Sequence, residues 1–141
     1  MNRCWVINAS PITSLSKINM ASLLFELCDT ICIPSGVVEE INQGPGNDPA
    51  REWIQTYGRA KIMNVGQINK IVSAWDLGKG ESEVIHWAYA NPGFTAILDD
   101  RAARNCAVSL AIEVIGTIGI LLLAKKRHKV VKVKPFFHQL E

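Results

Sequence analysis

The chain has 141 residues, of which 48% are hydrophobic and 20% are charged, and its formal net charge is +2. These values are typical of one ordinary globular domain with a sizeable core, and they exclude a disordered chain and a collagen-like repeat. We therefore expect a single domain over residues 1–141.

The four cysteines indicate a reducing compartment. Cys4, Cys28, Cys32 and Cys106 form no CxxC pair, and no signal-peptide pattern stands at the N-terminus. We interpret them as reduced thiols of a cytoplasmic protein. The three histidines do not stand in a finger-like spacing with the cysteines, so zinc is not expected.

The first half of the chain alternates short apolar runs with amphipathic stretches. It predicts strands at residues 4–7 and 30–33, a helix or helix pair from 10 to about 27, and helices from 35 to near 44 and from 48 to 57. Ser10 and Ser35 are expected as N-caps, and Pro11 suits the first helical position.

The second half continues the same alternation. It predicts an edge strand within 60–65, helical residues at 67–75 and 81–90, strands at 95–98 and 113–115, a helix with Ala102, Ala103, Cys106, Ala107 and Leu110 facing inward, and a helix at 117–126. Strands that alternate with helices favour a parallel sheet covered on both faces. The predicted fold is a three-layer α/β/α sandwich with a mostly parallel central sheet.

One segment has the composition of a borderline membrane span. Residues 106–124 contain only one charged residue, Glu113, and a spanning helix needs about 20 mostly apolar residues. The β-branched run at 112–115 is followed by a glycine-containing turn at 116–119, which predicts a buried strand, a turn and a new helix. We therefore expect no membrane insertion.

Four acidic residues stand where a strand or loop gives way to a helix: Glu40, Glu81, Asp99 and Asp100. The carboxyl ends of parallel strands form the crevice where ligands bind, and carboxylates gathered there repel one another unless a cation intervenes. They predict a site for Mg²⁺ or Mn²⁺. Taken singly, Glu40 could be surface charge, Glu81 a first-turn acid, and one of the aspartates an N-cap.

The positive charge is concentrated at the C-terminal end. Residues 125–141 hold six Lys/Arg against one Glu, a net charge of +5, whereas residues 1–124 hold nine against twelve, a net charge of −3. The block either binds a polyanion such as nucleic acid or complements the end of a helix. Arg101 and Arg104 could likewise reach phosphates or pair with the nearby acids. The basic residues of the block are Lys125, Lys126, Arg127, Lys129, Lys132 and Lys134.

Five segments share their order with a known family. They are VINASPI at 6–12, IPSGVVEE at 33–40, LGKGESE at 77–83, ILDDRAAR at 97–104 and GTIGIL at 116–121. This order resembles that of PIN-domain proteins, small metal-dependent ribonucleases with a three-layer α/β fold. The closer resemblance is to a PIN-like family of prokaryotic proteins related to VapC-type toxins, whose members continue through a further short helical segment.

The resemblance implies that a water activated by Mg²⁺ or Mn²⁺ cleaves single-stranded RNA. Glu40, Glu81 and one or both of Asp99 and Asp100 would be the acidic ligands. Asn8 stands where most PIN nucleases place their first aspartate; its amide oxygen can coordinate a cation but removes one negative charge.

Two residues at predicted helix starts complete the implied site. Ser10 could offer its hydroxyl to metal or phosphate, and Thr117 could contact a phosphate, although an N-cap role is open for both.

Two functions remain in competition. The first is a ribonuclease that forms the toxin half of a toxin–antitoxin pair, blocked by a small antitoxin protein. The second is a catalytically weak or inactive PIN-like module that binds RNA or a protein. A nucleotide-binding domain is disfavoured because no GxGxxG or GxxxxGK[ST] loop is present.

The aromatic residues also predict a homodimer, which light scattering can test. The large aromatic side chains on which this expectation rests are Trp53, Trp75, Trp87, Phe136 and Phe137.

Overall fold

The structure is a computed structural model that describes residues 3–127. The strands are β1 (Cys4–Ile7), β2 (Thr30–Pro34), β3 (Ile62–Met63), β4 (Phe94–Ile97) and β5 (Val114–Ile115). The helices are α1 (Ala9–Lys17), α2 (Leu23–Leu27), α3 (Ser35–Asn42), α4 (Pro49–Trp53), α5 (Lys70–Ser73), α6 (Lys79–Ala90), α7 (Arg101–Ser109) and α8 (Thr117–Lys126). A π-helical turn at Ile54–Gly58 and a 3₁₀ turn at Arg59–Lys61 follow α4.

The five strands form one parallel sheet in the order β3-β2-β1-β4-β5. The chain moves from β1 outward to β2 and β3, and then returns to the other side of β1 to add β4 and β5. The point between β1 and β4 is therefore the topological switch, where side chains at the carboxyl ends of the strands can surround a ligand. The predicted parallel sheet is confirmed.

Helices cover the sheet, and apolar side chains fill the space between the layers. Helix α1 packs against α4 and α8, whereas α6 packs against α7 and lies over β1 and β2. The largest fully buried side chains come from both the strands and the helices. They include Trp5, Ile7, Leu24, Ile33, Ile97 and Leu121. The predicted three-layer α/β/α architecture is thus confirmed.

The predicted elements are present, but several helices begin earlier than expected. Helix α6 starts at Lys79, so Gly80 lies in its first turn. Because glycine has no side chain, Val37 can pack closely there: its Cγ2 would stand 3.3 Å from a Cβ at position 80. Ala102, predicted to face inward, is exposed on α7.

The two predicted serine N-caps are wrong. Asn8 occupies the N-cap position of α1 and Pro34 that of α3, both with extended backbone. Each helix begins directly after its strand or cap residue, so Ser10 falls inside the first turn of α1 and Ser35 is the first residue of α3.

The apolar segment at 106–124 is divided as predicted. Helix α7 ends at Ser109, strand β5 follows, and α8 begins at Thr117. Within residues 3–127, every helix is too short or too polar to cross a bilayer.

The C-terminal basic block is only partly described. Lys125, Lys126 and Arg127 are exposed at the end of α8, where they complement the helix dipole. About 13 Å of helix separates them from Thr117 at the rise of 1.5 Å per residue. Lys129, Lys132 and Lys134 lie outside the described residues.

The aromatic residues behind the expected homodimer differ in exposure. Trp53 is buried, Trp87 is half-buried, and Trp75 is 41% exposed. Phe136 and Phe137 lie outside the described residues, and the homodimer stays a prediction.

Candidate active site

Polar side chains meet at the carboxyl edge of the two central strands. Asn8 follows β1 directly, and Asp99 and Asp100 follow β4 after Leu98. The backbone N–H of Asn8 donates to the carbonyl of Ile97 at 3.1 Å, which extends the pairing of β1 with β4 to the start of α1. The residues therefore lie at the switch point of the sheet.

Asp99 joins three elements of the fold. Its Oδ1 accepts a hydrogen bond from the backbone N–H of Thr117 at 2.7 Å. Its Oδ2 accepts from the hydroxyl of Thr117 at 2.7 Å and from the hydroxyl of Ser10 at 2.9 Å. Three protein donors thus occupy three of the roughly four lone-pair positions of its two oxygens.

The contact with Asp99 also explains how α8 begins. The N-cap of α8 is Gly116, which has no side chain to cap the helix, and Thr117 is the first helical residue. Asp99 supplies the missing acceptor from the end of β4. The expected N-cap role of Thr117 is therefore wrong, and both Thr117 and Ser10 are donors to a carboxylate.

Asp100 is the N-cap of α7. Its Oδ2 accepts from the backbone N–H of Ala103 at 3.0 Å. The capping alternative thus holds for this aspartate. Its Oδ1 accepts no hydrogen bond from residues 3–127 and is free to bind a cation.

Glu81 lies half-buried in the first turn of α6. Burial raises the pKa of its carboxyl above the usual value, and the charges of Asp100 and Glu40 raise it further, while a hydrogen bond from the backbone of Gly78 opposes the shift. The negative charges of Asp100 and Glu40 therefore both act on Glu81.

Glu39 and Glu40 point in different directions on α3, as a helix requires of successive residues. Glu39 forms an exposed ion pair with Lys79 of α6 at 2.7 Å. Glu40 is exposed and close enough to Glu81 to affect its pKa. The crevice thus contains the charge of Glu40.

Asn8 carries a buried amide oxygen without a partner. The residue is only 4% exposed, and its Oδ1 accepts no hydrogen bond within residues 3–127. A Cβ at Gly80 would lie 3.4 Å from this oxygen, so the amide faces the first turn of α6. A buried carbonyl without a donor is costly, which makes a cation or a bound water a favourable occupant.

The donor set suits an oxygen-liganded cation without forming a closed cage. No three His, Cys, Asp or Glu side chains in residues 3–127 converge tightly enough to enclose a metal ion. The buried Oδ1 of Asn8 and the carboxylates of Glu81, Asp100 and Glu40 are nevertheless oxygen donors of the kind that a hard divalent cation takes, and such a cation can keep several waters and needs few protein ligands.

The two arginines line an open cleft beside the acids. Arg104 donates from Nη1 to the carbonyl of Leu98 at 3.1 Å, and neither Arg101 nor Arg104 forms an ion pair within residues 3–127. The alternative in which they pair with the acids is therefore wrong. The cleft has a volume of about 650 Å³ and is lined by Asp99, Arg101, Arg104, Val114, Ile115, Gly116, Ile118 and Gly119.

One buried acid was not singled out from the sequence. Glu83 is 7% exposed, and its Oε1 accepts the backbone N–H of Gly36 at 2.9 Å. The signal was available, because Glu83 precedes the apolar pair Val84-Ile85 and stands about 200° around the helix from Glu81. An acid on that side of α6 must face the interior and needs a donor there.

Comparisons with known proteins give one match. The model of a family described as "DUF3368: PIN domain" matches residues 4–141. No curated protein and no solved structure matches the sequence significantly.

Replacing Glu81 by Gln is expected to stabilise the metal-free protein at pH 7. The pKa of Glu81 is higher in the folded protein than in the unfolded chain, so its ionisation opposes folding. The protonated carboxyl is compatible with the fold, and stability is lost as pH rises from the unfolded-state pKa of about 4.3 through the folded-state pKa. Urea unfolding should show Glu81→Gln above wild type at pH 7 and equal to it at pH 3. Glu113→Gln, which removes an exposed acid outside the site, is the control. A variant less stable than wild type at pH 7 would contradict the electrostatic account.

Gly116→Ala is expected to destabilise the protein by about 1–3 kcal/mol, the usual cost of overpacking. Its methyl group would lie 2.6 Å from Arg104 Nη1 and 3.0 Å from Asp99 Oδ1. Both side chains would therefore have to move, which disturbs the hydrogen bonds that they form. Gly46→Ala is the matched control, since the nearest atom there is 3.7 Å away. Equal unfolding midpoints in urea for the two variants would show that the packing at Gly116 is not restrictive.

Proposed function

Because the chain belongs to the family of PIN domains, we propose that it is a ribonuclease that depends on Mg²⁺ or Mn²⁺ and cleaves single-stranded RNA. We further propose that it is the toxin of a toxin–antitoxin pair, related to the VapC-type toxins. The observation that supports the proposal most directly is the buried Oδ1 of Asn8, which accepts no hydrogen bond within residues 3–127 and faces the first turn of α6, where Glu81 lies.

Four side chains are the proposed metal ligands: Asn8, Glu40, Glu81 and Asp100. A divalent cation held by them supplies Lewis acidity, which activates a water and neutralises charge on the scissile phosphate. In the absence of the cation the charges of Asp100 and Glu40 oppose the ionisation of Glu81, so a positive charge beside Glu81 is favourable.

Asp99 has a different task in this proposal. Its oxygens hold Ser10 and Thr117, so it orients α1 and α8 around the crevice rather than binding the cation. Ser10 and Thr117 are accordingly positioned by Asp99 and do not need to contact the phosphate.

Arg101 and Arg104 are the proposed phosphate contacts. They line the cleft that opens beside Asp99, and they form no ion pair with the acids within the described part of the chain. Guanidinium groups recognise phosphate oxygens well because of their planar donors. Lys125, Lys126 and Arg127 would bind RNA only where the strand extends along α8, away from the acids.

The proposed regulator is a small antitoxin protein. A carboxylate such as Glu81, whose charge is opposed by Asp100 and Glu40, attracts a basic side chain as well as a metal ion. An Arg or Lys from the antitoxin, placed among Glu40, Glu81 and Asp100, would exclude the cation and block cleavage.

A second candidate function is a module that binds RNA or protein without cutting it. Asn8 favours this candidate, because an amide contributes no negative charge. The lack of a closed acidic cage within residues 3–127 favours it as well. The ribonuclease would need the acids for cleavage, whereas the binding module would need them only to maintain the shape of the crevice.

Calorimetry should show that wild type binds Mn²⁺. In the double variant Glu81→Gln with Asp100→Asn the affinity should fall by at least about 100-fold, because losing even a residue that supports a metal ligand can cost that much. The same variant should not cleave single-stranded RNA, and wild type should spare a duplex of the same sequence. Glu39→Gln, which removes a neighbouring acid from an exposed ion pair, is the control and should behave as wild type. Wild type that binds RNA without cutting it, and without Mn²⁺, would favour the binding module instead.

Asn8→Asp is expected to tighten Mn²⁺ binding by about 10-fold, because it adds a charge at the buried amide position, and 1.4 kcal/mol of Coulomb energy corresponds to that factor. RNA cleavage at limiting Mn²⁺ should rise in parallel. Asn8→Ala removes the oxygen altogether and should weaken binding. Equal Mn²⁺ affinity in all three proteins would exclude residue 8 from the metal site.

A further inference from the structure

A carboxylate of α6 caps the start of α3. The Oε1 of Glu83 accepts the backbone N–H of Gly36 at 2.9 Å, and Glu83 is buried. Helix α3 has no cap of its own, because its N-cap residue is Pro34, whose side chain cannot accept a hydrogen bond. The first-turn N–H groups of a helix are without intrahelical partners and carry partial positive charge, so an anionic acceptor stabilises them.

The two helices approach each other through a glycine on each side. A Cβ at Gly36 would stand 2.8 Å from both Cδ and Oε2 of Glu83. A Cβ at Gly80 would stand 3.3 Å from Cγ2 and 3.6 Å from Cα of Val37. The Gly36–Glu83 and Val37–Gly80 contacts form one joint between α3 and α6, which we term the glycine joint.

Two proposed metal ligands lie on the two helices that the glycine joint connects. Glu40 is four residues beyond Gly36, about one turn along α3, and Glu81 is two residues before Glu83 on α6. The separation of their carboxylates therefore depends on how the two helices are held together. The Glu39–Lys79 ion pair bridges the same helices, but both side chains are exposed, so it contributes little. Glu83 is the buried polar anchor of the joint.

We propose that Glu83 is a positioning residue, which fixes Glu40 of α3 relative to Glu81 of α6 by binding the backbone N–H of Gly36. The inference rests on the proposed function in one respect, since the spacing of these acids matters only if they bind a cation together. The geometry of the joint itself is independent of that function. A carboxylate suits the task because it accepts from a helix N-terminus more strongly than a neutral group does.

The experiment compares three variants with wild type. Glu83→Ala removes the acceptor, and Glu83→Gln keeps an acceptor of the same length without charge. Val84→Ala destabilises α6 from the next buried position and leaves all four residues of the joint in place. Two quantities are measured in each folded protein: Mn²⁺ affinity by calorimetry, and the nuclear Overhauser contacts between the Val37 methyl groups and the Gly80 α-protons without metal.

We expect Glu83→Ala to lose the Val37–Gly80 contacts and to bind Mn²⁺ at least about 10-fold more weakly, as second-shell changes do. Glu83→Gln should restore the contacts and most of the affinity. Val84→Ala should lose thermal stability but keep both, which a merely structural role of Glu83 would not explain.

Two results would overturn the proposal. One is an unchanged Mn²⁺ affinity in Glu83→Ala, and the other is an equal loss in Val84→Ala at matched stability. If wild type itself does not bind Mn²⁺, the proposed function fails, and the contacts alone then decide the joint: their persistence in Glu83→Ala would overturn it, and their loss there with recovery in Glu83→Gln would support it.

Discussion

The carboxylate of Asp99 is the interaction on which the arrangement of the crevice depends. It follows the interior strand β4 after Leu98 and accepts hydrogen bonds from the first turns of α1 and α8, which begin far apart in the sequence. Charge-assisted hydrogen bonds of this kind are about twice as strong as neutral ones. Because Gly116 gives α8 no cap of its own, the start of that helix is fixed by a residue of the sheet.

The crevice next to this edge is not optimised for stability. Asn8 buries an oxygen without a donor, and Glu81 carries a charge that burial and two neighbouring acids oppose. Such unfavourable features are expected where a fold is selected to bind something. The contrast between the satisfied Asp99 and the unsatisfied Asn8 separates the residues that build the edge from those that are available to a ligand.

The fold could be predicted from the sequence because local and global signals agree. Short β-branched runs such as residues 30–33 alternate with helical stretches, and breakers such as Asn91-Pro92-Gly93 separate them. The candidate site could be predicted only in part. Asp99 and Asp100 are adjacent in the sequence, so no local pattern separates their roles. Ser10 and Thr117, which stand 89 and 18 residues from Asp99, donate hydrogen bonds to Asp99. For Glu83 the apolar pair that follows it marks its side of α6 as interior, but its partner, a backbone N–H 47 residues away, could not be predicted from any local pattern.

The outermost strands of the sheet, β3 and β5, are each only two residues long. An edge strand presents unpaired N–H and C=O groups that can recruit another chain, and very short edges are a common protection against this. Within residues 3–127, each margin of the sheet therefore offers little backbone to which a neighbouring molecule could add a strand. For this part of the chain, a contact between two copies through side chains on the helical layers is favoured over continuous β-pairing.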